Sequence, residues 1–152
     1  MFSKLSSIGL ALVAIASGTT ARADTFGTPG NEFTIDFVTI SGATNPTGSY
    51  GIVNRDYRMG TREITNDQWN TFKAAYGTPT GSDGGYSLGS YFTGTNVPTD
   101  RVSWYEAAQF VNWLNTSTGN QAAYKFTNEQ GTPNYAFAPW SPTDTGYDAG
   151  NP

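Results

Sequence analysis

The stretch DRVSWYEAAQFVNWLN, residues 100–115, decides how this chain is read. Ser103 followed three residues later by Glu106 is an S-x-x-E capping box, in which the hydroxyl and the carboxylate each accept a backbone N–H at the start of a helix. A helix is therefore expected from Trp104, with Val102 and Ala107 as the hydrophobic staple around the cap. Ala107, Phe110 (or Val111) and Leu114 fall on one helical face, and Gln109, Asn112 and Asn115 on the other. Three rings, Trp104, Tyr105 and Trp113, raise the question of binding surface against core. Buried aromatics dominate small cores and need only one polar partner. Trp104 and Trp113 are accordingly expected as core anchors, while Tyr105 keeps a claim to the surface.

The same device recurs upstream in ITNDQWNTFKAAYG, residues 64–77. Thr65 and Gln68 form a T-x-x-Q box, Ile64 and Trp69 a staple, and Trp69, Phe72 and Tyr76 one helical face ending at Gly77. Around these helices lie candidate strands. FTIDFVTI, 33–40, alternates Phe33, Ile35 and Phe37 with polar residues. VNRDYRMGTREI, 53–64, reads as a second strand, antiparallel to the first. AYKFT, 123–127, and YAFAPW, 135–140, are shorter candidates. Residues 41–51 and 78–101 are rich in turn formers, with a short strand expected around Tyr91 and Phe92. The chain ends inside the turn-forming SPTDTGYDAGNP, which reads as an interrupted domain.

The first 23 residues have the layout of a signal peptide: Lys4, an apolar run from Ile8 to Ala16, and an Ala21-Arg22-Ala23 ending. Cleavage is expected after Ala23, giving a product exported to the periplasm or the medium. The apolar run is too short to span a bilayer, so no membrane attachment is expected afterwards. Residues 24–32, with Gly27, Pro29 and Gly30, read as a loose leader before a domain over 33–152. Eight basic residues against twelve acidic give a net charge of −4. Basic residues this few and scattered do not match a phosphate backbone, so nucleic acid is not an expected partner.

The chain has no cysteine and no histidine. That removes disulfides, thiolate nucleophiles, thiolate metal sites, the usual general base and the commonest transition-metal ligand. Ser-His-Asp and Cys-His catalysis are excluded for this chain by itself.

Two blocks then carry a resemblance. Glu63-Ile64-Thr65-Asn66 with an aromatic in the helix that follows, and Pro98, Val102-Ser103-Trp104, Ala107 and Asn112-Trp113-Leu114 after a loop, resemble the N-terminal part of the formylglycine-generating-enzyme, or sulfatase-modifying-factor, domain family. The resemblance covers roughly residues 33–140 and implies an α+β, C-type-lectin-like fold, here incomplete at its C-terminus. The resemblance is to copper oxidases that oxidise a cysteine of a sulfatase peptide, with paired cysteines later in the domain holding the metal; iron-using relatives bind metal through histidines. Neither residue type is present, and the family's arginine-leucine-proline block is absent. The resemblance thus implies a secreted, truncated or degenerate relative without oxidase activity. The alternative is an extracellular protein- or glycan-binding or structural module, with Tyr86, Tyr91, Phe92 and Tyr105 as surface aromatics. A third reading places the active residues in sequence beyond Pro152. The residues do not specify an oligomeric state.

No catalytic, cofactor-binding or metal residue is assigned. The resemblance implies calcium as the one ion to consider, for which SDGG, 82–85, and DTGYD, 144–148, offer oxygens. Both read better as Asp/Gly turns, since neither completes a calcium loop. Glu63, near Arg62 and Arg58, is expected in a strand-end ion pair or cap rather than as an acid catalyst.

Overall fold

The computed structural model describes residues 21–44, 53–81, 84–85, 93–128, 136–147 and 149. The expected signal-peptide run, the Tyr91–Phe92 strand, Tyr86 and parts of both calcium candidates lie outside these residues. The chain is α+β. Strands β1 (Arg22–Thr28), β2 (Asn31–Ile40) and β3 (Tyr57–Gly60) form an antiparallel sheet in the order β1-β2-β3. Helix α1 (Asn66–Tyr76) follows, then the two-residue strands β4 (Thr80–Gly81) and β5 (Gly84–Gly85), which pair together. Helix α2 (Trp104–Ser117) precedes an antiparallel hairpin of β6 (Lys125–Thr127) and β7 (Ala136–Ala138). Among the described residues no helix is long and apolar enough to cross a membrane.

β1 corrects the expectation of a loose leader. Its seven residues pair with β2 from Arg22↔Phe37 to Thr28↔Asn31, joined by Pro29-Gly30. Pro29 pre-sets its own φ, and Gly30 takes φ +92, the positive angle a turn needs after proline. Gly27 is equally constrained, because a Cβ there would lie 1.9 Å from the Asn31 carbonyl oxygen. Residues that looked like breakers are the chemistry of a tight hairpin.

β2 behaves as its alternation requires: Ile35 is buried, Phe33 and Phe37 are half-buried, and Glu32, Thr34 and Asp36 are exposed. β3 is antiparallel to it, as expected, although its Met59 is exposed. Both helices start where the capping boxes place them. The Thr65 hydroxyl accepts from Gln68 N–H at 3.3 Å while Thr65 N–H donates to Gln68 Oε1 at 3.0 Å. Ser103 and Glu106 exchange the equivalent bonds at 3.2 and 2.8 Å. Two further N–H groups that a helix start leaves orphaned, those of Asn66 and Asp67, donate to the carbonyls of Val97 and Thr95 at 2.9 and 3.0 Å.

The helices and β2 meet in an aromatic core of Trp69, Phe72, Phe110 and Trp113, against which Phe33, Ile64, Val102 and Leu114 pack. Phe110 lies 5.2 Å from Phe72, 5.3 Å from Trp69 and 6.2 Å from Phe33, the last pair stacked within 3°. Polar ties fix the layers: Gln68 Nε2 donates to Thr34 O at 2.8 Å, and Gly27 N–H donates to Ser117 Oγ at 3.0 Å.

α2 sits on this core rolled away from the expected face. Glu106, Ala108, Gln109, Phe110 and Trp113 are its buried residues, whereas Ala107 is exposed and Leu114 half-buried. Trp113 is in the core, but Trp104 is 50% exposed, which corrects its assignment as an anchor. Two residues correspond to about 200° of helix rotation, so a helix that turns Glu106 inward turns Trp104 outward.

Phe72 is fully buried at the junction of both helices. Phe72→Ala is expected to destabilise the chain by about 3–5 kcal/mol. Thr65→Ala, which removes only a cap, should cost about 1 kcal/mol. Urea unfolding followed by tryptophan fluorescence measures both.

Candidate functional site

Trp104, the first residue of α2, belongs to a second aromatic cluster that lies apart from the core. Its ring centroid is 5.5 Å from Tyr105, 5.4 Å from Tyr124 and 5.3 Å from Phe137, each contact edge-to-face. Tyr124 and Phe137 touch at 5.6 Å, and Tyr105 reaches Phe126 at 6.0 Å. Phe126 and Phe137 are cross-strand partners in the β6–β7 hairpin, so both rings leave the same face of the ribbon. That face straddles the first turn of α2, with Phe126 on Tyr105 and Phe137 on Trp104.

Asn112 holds the hairpin in place. Its side-chain amide donates to Tyr124 O and accepts from Tyr124 N–H, both at 2.7 Å. Trp140 Nε1 donates to Ala122 O at 2.9 Å. Beyond β7, Asp144 accepts from Lys125 Nζ at 2.5 Å and from Ser141 N–H at 2.8 Å. The cluster is therefore mounted on hydrogen-bonded supports, yet Trp104 remains 50% and Phe137 43% exposed. The cluster thus leaves aromatic surface exposed at two neighbouring rings.

The other candidates from sequence are placed elsewhere. Asp144 of DTGYD is committed to Lys125 and to its own turn, with Tyr147 N–H donating to Asp144 O at 3.1 Å. Gly84 and Gly85 of SDGG form β5. Among the described residues no three of the carboxylates gather where they could hold a metal ion. Arg58 corrects the expected pairing with Glu63: it donates to Asp24 on β1 and lies 4.5 Å over the Phe37 ring. Glu63 is exposed and borders a groove between the sheet and α2. Glu106 is fully buried, one oxygen bound by the Ser103 N–H and the other, Oε1, without a hydrogen-bond partner. Its role is that of a cap, out of reach of solvent and substrate.

Sequence reasoning missed Tyr124, Phe126 and Phe137 as site residues. The signal present was the pair of short aromatic strand candidates, 123–127 and 135–140; which ring would meet Trp104 depends on a hairpin register that no local pattern states. Comparison with protein-family models, with curated proteins and with solved structures found no match to this chain. The resemblance to the sulfatase-modifying-factor family rests on the two sequence blocks.

Two surface pairs govern acid behaviour. The hydrogen bond from Arg58 holds the Asp24 carboxyl below its ordinary value, and the bond from Lys125, helped by the Ser141 N–H, does the same for Asp144. A carboxyl depressed in the fold stabilises it above the unfolded value, about pH 3.9, and loses that contribution as the pH falls through the folded value. Asp144→Asn should therefore be less stable than the parent chain at pH 7, and the difference should shrink steadily below about pH 4. Thermal unfolding at a series of pH values checks the sign.

Proposed function

We propose that this chain is an exported, non-catalytic relative of the sulfatase-modifying-factor family, built on a C-type-lectin-like scaffold and acting as a binding module for a protein surface. The observation that carries the binding reading is the half-exposed Trp104, seated among Tyr105, Tyr124 and Phe137. Tryptophan and tyrosine dominate the energetically important positions of protein interfaces, because they bring large apolar area with a polar edge. Support for the non-catalytic part comes from the side-chain inventory. Copper bound by thiolates and iron bound by imidazoles both need residues the chain lacks.

Export fits the same picture. Cleavage after Ala23 would shorten β1 by Arg22 and Ala23 and leave Asp24, with its Arg58 partner, as the first residue of the mature strand. No feature of the aromatic cluster would be disturbed.

A photo-crosslinking aromatic amino acid placed at position 104 or 137 of the exported chain tests the reading. A specific protein adduct is expected at both positions and not at exposed Val53. Adducts no stronger than at Val53, or formylglycine formed from a cysteine-containing sulfatase peptide with copper, would overturn it. Hits on a glycan array abolished by Trp104→Ala would redirect it to the glycan version.

A further inference from the structure

A second surface lies along the flank of α2 that carries Ala107, Val111 and Leu114. The helix layer covers the sheet around Phe33 but stops short of the β3 side, where Ile35, Phe37, Ile64, Val102, Val111 and Leu114 border an open groove of about 440 Å³. Three observations describe what this groove would accept. Its lining residues are apolar apart from Thr99 and one charged residue, Glu63. Its wall includes Gly60, the last residue of β3, where no side chain stands between the groove and the strand backbone. Among the described strands β3 is an edge, paired only with β2.

We infer that the groove receives an extended apolar segment of a partner polypeptide that carries a basic residue, laid along the free edge of β3 with the basic group at Glu63. Each element of that segment answers one feature. An edge strand presents unpaired N–H and C=O groups, which an added strand satisfies. Alternate side chains of an added strand point to one face, so apolar residues two apart would enter the groove together. Glu63 is the one charged residue in the groove's lining, and in a chain of net charge −4 it favours a cation. An amphiphile without a peptide backbone would fill the groove but leave the strand edge unused.

The test uses the whole chain, isotopically labelled, titrated with a short synthetic peptide alternating leucine and threonine with one central lysine. Shifts are expected at the backbone amides of Tyr57 to Gly60 and at Val111 and Leu114. Replacing the peptide's lysine by glutamate, or Glu63→Gln in the protein, should weaken binding by up to about fivefold, the size of an exposed ion pair. Ala107→Phe, at an exposed position on the groove's border, should block the peptide while leaving the far-ultraviolet dichroism unchanged. The proposal is overturned if these amides do not move, if the glutamate peptide binds as well as the lysine one, or if decylamine shifts the groove side chains and the peptide does not.

Discussion

The contact on which the rest of this fold depends is the meeting of Phe110 with Phe72, Trp69 and Phe33. It joins one residue from α2, two from α1 and one from β2. Aromatic rings of this size each bury 150–250 Å² or so. In a chain with no disulfide, the few rings at this junction must supply most of the cohesion between layers. Because that core is small, the orientation of α2 follows Phe110 and Trp113, three residues apart on one face, and not Trp104. The lighter Ala107 and Leu114 give way. The outward turn of Trp104 and the groove beside Val111 are two consequences of the same choice.

Around the core, polar groups locate elements that apolar packing alone would leave free to slide. Gln68 couples α1 to β2 while completing its own capping box. Ser117, in the last turn of α2, receives the Gly27 amide of the β1–β2 hairpin. The segment around Thr95 and Val97 closes the start of α1, and Thr99 N–H returns to Ile64 O at 2.9 Å. A hydrogen bond contributes only about 1 kcal/mol on balance, but its directionality fixes register where ring contacts do not.

Local chemistry was readable in the sequence and tertiary arrangement was not. Both capping boxes, the β2 alternation, the antiparallel β3 and the hairpin strands follow from residues within a few positions of one another. The roll of α2 does not, because a binary pattern counts Gln109 as outward and Ala107 as inward, whereas the burial of Glu106 and Gln109 is imposed by where Phe110 and Trp113 find partners. β1 was misread for a related reason. Glycine and proline mark a break when read alone, and a hairpin turn when the strand they lead to has a partner. The aromatic cluster was half readable: Trp104 and Tyr105 stood out, but the rings that complete it lie about twenty to thirty residues further on and arrive through hairpin pairing.

Asn112 holds position 124 through its backbone N–H and C=O, as a neighbouring strand would. The side chain at that position is not needed for those two bonds, although its ring packs on Trp104 and Phe137. The hairpin is thus held twice, once by a backbone grip and once by ring packing. A lineage could exchange Tyr124 for another aromatic and change what this face displays while Asn112 keeps the hairpin in register.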